Sequence, residues 1–310
     1  MAGLGYERIF SGWGPVLKRL HIVDGTFELF RAHYSKRPSK TAPDGQDVKG
    51  TAGVMSSMLG LIADRAEQVT HIAVAFDNPI ESFRNRMFAG YKTGEGMEPV
   101  LVDQMDLVEE AVRALGIVVW SMDDFEADDA LATAALVFSE DVDQIRIMSA
   151  DKDFGQCVIG TRVVQVDRMR ERVIDADGVR ERNGVDPVNI TDWLALVGDT
   201  ADGIPGIPGF GAKTAATLLN RFGSVEKIPD DPDLWDVKVR GAPRLAATLA
   251  GLRGEVGLYK ELATLREDVP ISESFDDLCW RGAPKKAFDE FATRIGGLNV
   301  SPSLFHGEHP

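Results

Sequence analysis

The sequence predicts an α/β protein with a parallel-type central sheet, followed by a smaller helical subdomain. Three observations carry this. Between residues 20 and 183, short apolar runs (RLHIVD, THIAVAFD, GIVVW, QIRIMSA) alternate with segments of helical spacing. Several runs end in acids, which puts Asp24, Asp77, Asp151 and Asp153 at strand carboxyl ends, the edge where open α/β sheets place their sites. The texture changes near Gly184, where NITDWLALVGDTADGIPGIPGFGAKTAATLLNRFG reads as helix, glycine-proline hairpin, helix.

Taken in order, residues 1–19 form an N-terminal extension with no apolar stretch of a secretory signal. Leu20, Ile22 and Val23 make the first strand, and Asp24-Gly25-Thr26 breaks it into a helix. Asp24 is there either an N-cap or a site carboxylate. Residues 36–50 are a polar loop whose Lys36, Arg37 and Lys40 are either solvated or phosphate-facing. Val54, Met58, Leu61 and Ile62 mark an amphipathic helix over 51–69, and THIAVAFDNP is a buried strand ending in Asp77. IESFRNRMFAGYKTGEGMEP interleaves Arg84, Arg86 and Lys92 with Phe83, Phe88 and Tyr91. That pattern fits either a helix with core-facing aromatics or a surface for a nucleic-acid backbone and a stacked base.

A helix over 101–115 leads into GIVVW. Ala127, Ala130, Leu131, Ala134 and Ala135 then share one helix face, which sets Glu126, Asp128 and Asp129 at the helix start. After QIRIMSA has delivered Asp151 and Asp153, VVQVD and Val173-Ile174 read as shorter edge strands. In the hairpin, Asp199 and Asp202 lie three apart and project the same way on a helical turn. Gly206, Gly209 and Gly211 let the backbone approach a ligand. Lys213 and Thr214 open the second helix, where N–H groups, a hydroxyl and an ammonium make a phosphate clamp. Residues 184–275 make the helical subdomain. From 224 on the chain reads as mostly helical and polar, buttressing the hairpin, with 276–310 a C-terminal segment ending in a loose tail, SPSLFHGEHP.

The net charge of −15 argues against a broadly basic nucleic-acid surface, but clustered acids invert their local field once divalent ions sit among them. Nine acids gather at strand ends and helix starts: Asp24, Asp77, Glu126, Asp128, Asp129, Asp151, Asp153, Asp199 and Asp202. All-oxygen donors favour Mg²⁺ or Mn²⁺, and this supply suggests at least two ions. Two such ions, about 3.5–4 Å apart, activate a water and stabilise the leaving oxygen of a phosphodiester. No histidine lies among these acids at the strand ends and helix starts, which weakens zinc or histidine-based chemistry, and no GxxxxGK[ST] is present to drive an ATP-dependent machine. Cys157 and Cys279 read as reduced thiols, and no stretch reaches membrane-span length.

The motifs VDGT, AFDNP…FR…YK, FEADDA, SADKDF and GDTADGIPGIPGFGAKTA occur in one order over residues 21–270. In this they resemble the flap endonuclease/5′ nuclease family in its bacterial form, the 5′–3′ exonuclease domain of DNA polymerase I and its free-standing relatives. The resemblance implies a PIN-like nuclease core over 20–183 and a helix–three-turn–helix of the helix-hairpin-helix kind. It implies metal roles for all nine acids, with Asp24, Asp77, Glu126 and Asp128 around one ion and the other five around its neighbours. It places Lys92 at the scissile phosphate with Arg84 nearby, Tyr91 on the terminal base, and a K⁺ ion at the hairpin loop. The implied partners are DNA with 5′ flaps or 5′ ends, and RNA–DNA hybrid. With no polymerase region following, a stand-alone, monomeric enzyme of the bacterial cytosol or nucleoid is expected. One position departs from the pattern: three residues past Lys92, where the family has an arginine in its helical arch, stands Glu95. The competing readings are a PIN-class structure-specific RNase and a non-catalytic DNA-junction binder.

Overall fold

A computed structural model describes residues 17–298 and 300–305. Most of the expected N-terminal extension (1–16) and the last five residues of the tail lie outside the described residues. The first half runs β1 (Arg19–Asp24), α1 (Gly25–His33), α2 (Lys49–Ala63), β2 (His71–Asp77), α3 (Phe83–Met87), α4 (Pro99–Val102), α5 (Met105–Ala114), β3 (Val118–Met122), α6 (Ala127–Val137) and β4 (Gln144–Met148). Then come β5 (Val163–Asp167), β6 (Arg172–Ile174), α7 (Ala176–Asn183), α8 (Ile190–Val197), α9 (Ala212–Phe222), α10 (Ala242–Gly251), α11 (Arg253–Ala263) and α12 (Lys285–Arg294).

The six strands are ordered β3-β2-β1-β4-β5-β6. β1 to β5 are parallel, and β6 returns antiparallel on β5. Alternate residues of the buried strands face opposite helix layers. Val23, Ile72, Val74 and Phe76 pack with α1, α2, α5 and α12, while Leu20, Ile22, Ala73, Ala75, Ile145 and Ile147 pack with α6. The chain moves outward through β2 and β3 on one side of β1, and through β4 and β5 on the other. The topological switch therefore lies between β1 and β4, where a crevice opens beyond the strand ends. Gly25 makes the turn out of β1 possible: a Cβ there would stand 2.5 Å from the Phe76 ring.

Outside the site, two parts of the chain differ clearly from the sequence expectation. The helix over 101–115 is split at residues 103–104 into α4 and α5, with Gln104 buried and accepting at Oε1 from the Thr51 amide (3.0 Å). The C-terminal segment does not buttress the hairpin. α11 lies along α8, but Phe288 and Phe291 of α12, with Ile295 just after it, close the first core beside α5. Part of the expected tail is structured: Leu304 and Phe305 are buried, and the Ala283 amide donates to the Leu304 carbonyl (2.8 Å). Two apolar residues in an otherwise polar stretch are enough to fold it back.

Candidate metal centre

Beyond β4, Asp151 N-caps a 3₁₀ turn (Lys152–Cys157) and accepts from the Asp153 amide (3.0 Å), which turns Asp153 inward. The loop 198–211 between α8 and α9 supplies the facing acids. Asp199 and Asp202 are not on a helix as expected. They project together because Asp199 and Ile204 exchange backbone hydrogen bonds of 2.8 and 2.7 Å, closing a tight turn around them. Oxygens of Asp153, Asp199 and Asp202 all lie within 4.8 Å of one another. Asp153 is 4% exposed, and its Oδ1 is buried with no hydrogen-bond partner. A buried carboxylate oxygen without a donor is costly, and a cation among the three acids removes that cost.

The remaining acids ring this group. Asp24 caps α1 by accepting from the Phe27 amide at Oδ1 (2.8 Å), and accepts at Oδ2 from Ser149 Oγ (3.0 Å), so it bridges the switch crevice. The cap reading holds, and capping leaves Asp24 Oδ2 directed at the crevice through Ser149. Asp77 accepts from the Ala127 amide (2.7 Å), and Glu126 N-caps the helix that carries Asp128.

Crowding has an electrostatic signature. Burial, then Asp77 and Asp151, push Asp24 up to about 7. Burial raises Asp77, while burial and the Asp24 charge raise Asp128. Burial and Asp151 hold Asp153 well above the carboxylate range, and burial also raises Asp202 against the pull of Lys92. Two lysines offset part of this. Lys92 Nζ lies 2.9 Å from Glu126 Oε2 and 3.0 Å from Asp202 Oδ1, and Lys152 Nζ lies 2.7 Å from Asp199 Oδ2. Burial alone would lower Lys92, but Glu126, Tyr91 and Asp202 outweigh it, so it stays charged.

The sign of the pH effect follows. Acids whose folded pKa is raised contribute stability at low pH, and that contribution is lost as pH rises from about 4 through the folded value near 7 of Asp24. Metal-free protein is therefore expected to melt at a lower temperature at pH 8 than at pH 5, with millimolar divalent cation restoring the difference. Thermal scans at the two pH values, with and without chelator, check this; identical curves would remove the crowding argument.

Several expected site residues are placed otherwise. Asp129 is fully buried, and its carboxylate is saturated. Oδ1 accepts from Arg84 Nη2 (2.7 Å) and the Arg266 amide (2.8 Å), Oδ2 from Arg84 Nη1 (2.8 Å) and the Glu126 amide (2.9 Å). It has no lone pair left for a metal and acts as a buried counterion. Arg84, 1% exposed, also donates to the Leu262 and Thr264 carbonyls, so it ties α3 to the end of α11 and presents no charge to a phosphate. Tyr91, 4% exposed, packs in the helical core and donates to Glu126 Oε2 (3.2 Å), leaving no ring face for a base.

Gly206 is also internal. A Cβ there would stand 2.5 Å from the Gly198 nitrogen, so its small size serves loop closure, whereas Gly209, Gly211 and Lys213 are exposed and Thr214 half-buried. Gly203 packs as closely on Gly90, where a Cβ would stand 2.1 Å from the carbonyl oxygen. Residues 88–98 form turns, not a helical arch. Gly90, Gly94 and Gly96 interrupt any helix, and Glu95 is exposed. Ser149 and Lys152 were not singled out in the sequence, although both lie inside SADKD; their roles depend on which carboxylate each reaches.

A doubly wound sheet with clustered carboxylates at its switch point, joined to a helical hairpin that completes the cluster, defines an α/β protein with a candidate divalent-metal centre. The family model described as "5′-3′ exonuclease, N-terminal resolvase-like domain" matches residues 19–184, and "5′-3′ exonuclease, C-terminal SAM fold" matches 185–286. The chain belongs to the 5′–3′ exonuclease family. It is 32% identical to the 5′–3′ exonuclease of Aquifex aeolicus over 84% of this chain and 86% of that protein. It is also 32% identical to DNA polymerase I of Bacillus caldotenax over 87% of this chain, spanning 30% of that longer protein. The bacteriophage T5 D15 flap endonuclease shares the fold, with a TM-score of 0.62 at 20% identity over 88% of this chain and 96% of that one. No helix among the described residues is long and apolar enough to cross a membrane.

Proposed function

We propose that the chain is a divalent-metal-dependent 5′ nuclease that hydrolyses phosphodiester bonds at 5′ flaps and 5′ ends of DNA in replication and repair. The observation that carries this is the unpartnered, buried Asp153 Oδ1 within the Asp153, Asp199 and Asp202 group. The solved T5 D15 flap endonuclease complex contains DNA and metal ions. Asp153, Asp199 and Asp202 would hold one Mg²⁺ or Mn²⁺, with Asp24, Asp77, Asp128 and Asp151 available to another. Bound ions supply Lewis-acid activation of water and neutralise phosphate charge.

The chain's own groups do the rest. Lys92, 28% exposed at its side chain, is held by Glu126 and Asp202 at the cluster's rim. It brings a fixed positive charge to a phosphate seated there. Burial alone would raise Glu126, but Lys92 and Arg84 hold it below the usual range, so it anchors that lysine as an anion. The exposed turn at Gly209 and Gly211, with Lys213 and Thr214, contacts the phosphates of the duplex, with a K⁺ ion at this loop. DNA, and RNA–DNA hybrid at primer ends, are the substrates of a monomer working in the cytoplasm.

The test is cleavage of a 5′-labelled flap substrate beside a blunt duplex, with chelator, Mg²⁺ and Mn²⁺. Cutting at the flap junction only when metal is supplied is the expected result. Absence of cutting in every metal would overturn the reading.

A further inference from the structure

We infer that Arg244, with Lys238 and Arg240, forms a second phosphate-contacting patch for the duplex arm of the substrate, beside the hairpin turn; this rests on the nuclease reading above. In a chain of net charge −15, cations are commonly consumed by carboxylates. Around this patch the acids flanking the cations have their own partners, and among the described residues there only Asp233, on the preceding 3₁₀ turn, is exposed without one. Asp236 is held by Arg221 (2.5 and 2.6 Å) and Asp230 by Arg253 (2.7 Å), while Asp231 caps its own 3₁₀ turn. Lys238, Arg240 and Arg244 are all exposed and, among the described residues, make no ion pair.

Arg244 is placed by packing. Its neighbour Leu245 is buried in the helical core, and both side chains lie against the hairpin. A Cβ at Gly209 would stand 3.0 Å from Leu245 Cδ2 and 3.2 Å from Arg244 Nη2. Gly209 has φ +92° and is exposed, and because it lacks a Cβ, Leu245 and Arg244 can close against its backbone. A planar guanidinium held beside exposed backbone makes a bidentate seat for a phosphate. Other exposed cations without an ion pair, such as Lys36, Arg37 and Arg65, lie in other parts of the chain, whereas Arg244 is packed beside the hairpin turn that leads into Lys213. A backbone running past Gly209 meets Arg244 first, with Arg240 and Lys238 on the segment leading into α10. These contacts read phosphate and not base, so the patch fits duplex of any sequence.

The test uses the full chain with chelator present, so that no strand is cut. Binding of a fluorescent plain duplex and of a single strand is followed by anisotropy across a salt series, for wild type, Arg244→Gln, Arg244→Lys and Lys286→Gln. Arg244→Gln is expected to weaken duplex binding roughly fivefold and to lower the slope of log K against log salt by about 0.9, one phosphate contact. Arg244→Lys keeps the slope, single-strand binding changes less, and Lys286→Gln, an exposed cation on α12, changes neither. With metal added, Arg244→Gln raises KM while kcat at saturating DNA stays within about twofold. Unchanged affinity and slope in Arg244→Gln would overturn the inference, as would an equal effect from Lys286→Gln. A wild-type chain that binds duplex but cuts nothing in any metal would sink the nuclease reading alone, while the salt series still decides the role of Arg244.

Discussion

Asp153→Asn is expected to abolish cleavage while making the metal-free protein more stable. The substitution removes one of three carboxylates that crowd within 4.8 Å and supplies an amide where Oδ1 had no donor. Repulsion in the empty cluster falls, so the melting temperature in chelator rises at pH 8. The same substitution takes away a charged oxygen that a divalent ion needs. Transition-state stabilisation from such an ion is worth several kcal/mol, so the rate loss is on the order of 10³-fold or more. Single-turnover cleavage in Mg²⁺ and Mn²⁺, run beside a melting scan, measures both effects. Full activity would remove Asp153 from the metal centre. Lost activity with a lowered melting temperature would mean the carboxylate serves the fold instead.

Arg84→Ala has the opposite character: its large effect falls on folding. The guanidinium is buried against Asp129, 3.2 Å from Glu126, and is bonded to two carbonyls at the end of α11. Truncation leaves Asp129 charged and half unsatisfied in a sealed interior. Removing one partner of such a pair typically costs about 3–5 kcal/mol. Arg84→Lys recovers only part, because a single ammonium cannot reproduce bonds made from Nε, Nη1 and Nη2 at once. A shift of the urea midpoint equivalent to under about 1 kcal/mol would return Arg84 to the surface role its motif position implies.

The strands and their acidic ends were legible because each is a short β-branched run cut by a breaker, a purely local signal. Asp24, Asp77 and Asp151 stood out for the same reason, and Glu126 through its helix start. Asp129 was not separable from Asp128, since the two are adjacent in sequence and only the fold shows that one faces Arg84. Tyr91 and Arg84 lie in a stretch whose pattern fitted both a core and a nucleic-acid surface. Packing against residues more than a hundred positions away settled which. The turn that presents Asp199 and Asp202 was hidden because a three-residue spacing suits a helix as well as a loop. The buried Leu304 and Phe305 were too few to produce a periodic pattern.

The loop between α8 and α9 also works as a caliper. One jaw is the pair Asp199 and Asp202; the other is the exposed backbone at Gly209. The span between them cannot be stretched: a residue of chain reaches at most about 3.6 Å, and the Asp199–Ile204 pairing and the seat of Gly203 on Gly90 take up the slack. Under the proposed nuclease function, a duplex gripped at one jaw would be presented to the other at a constant stride. The site of scission would then be counted in nucleotides from the gripped duplex, independent of base identity.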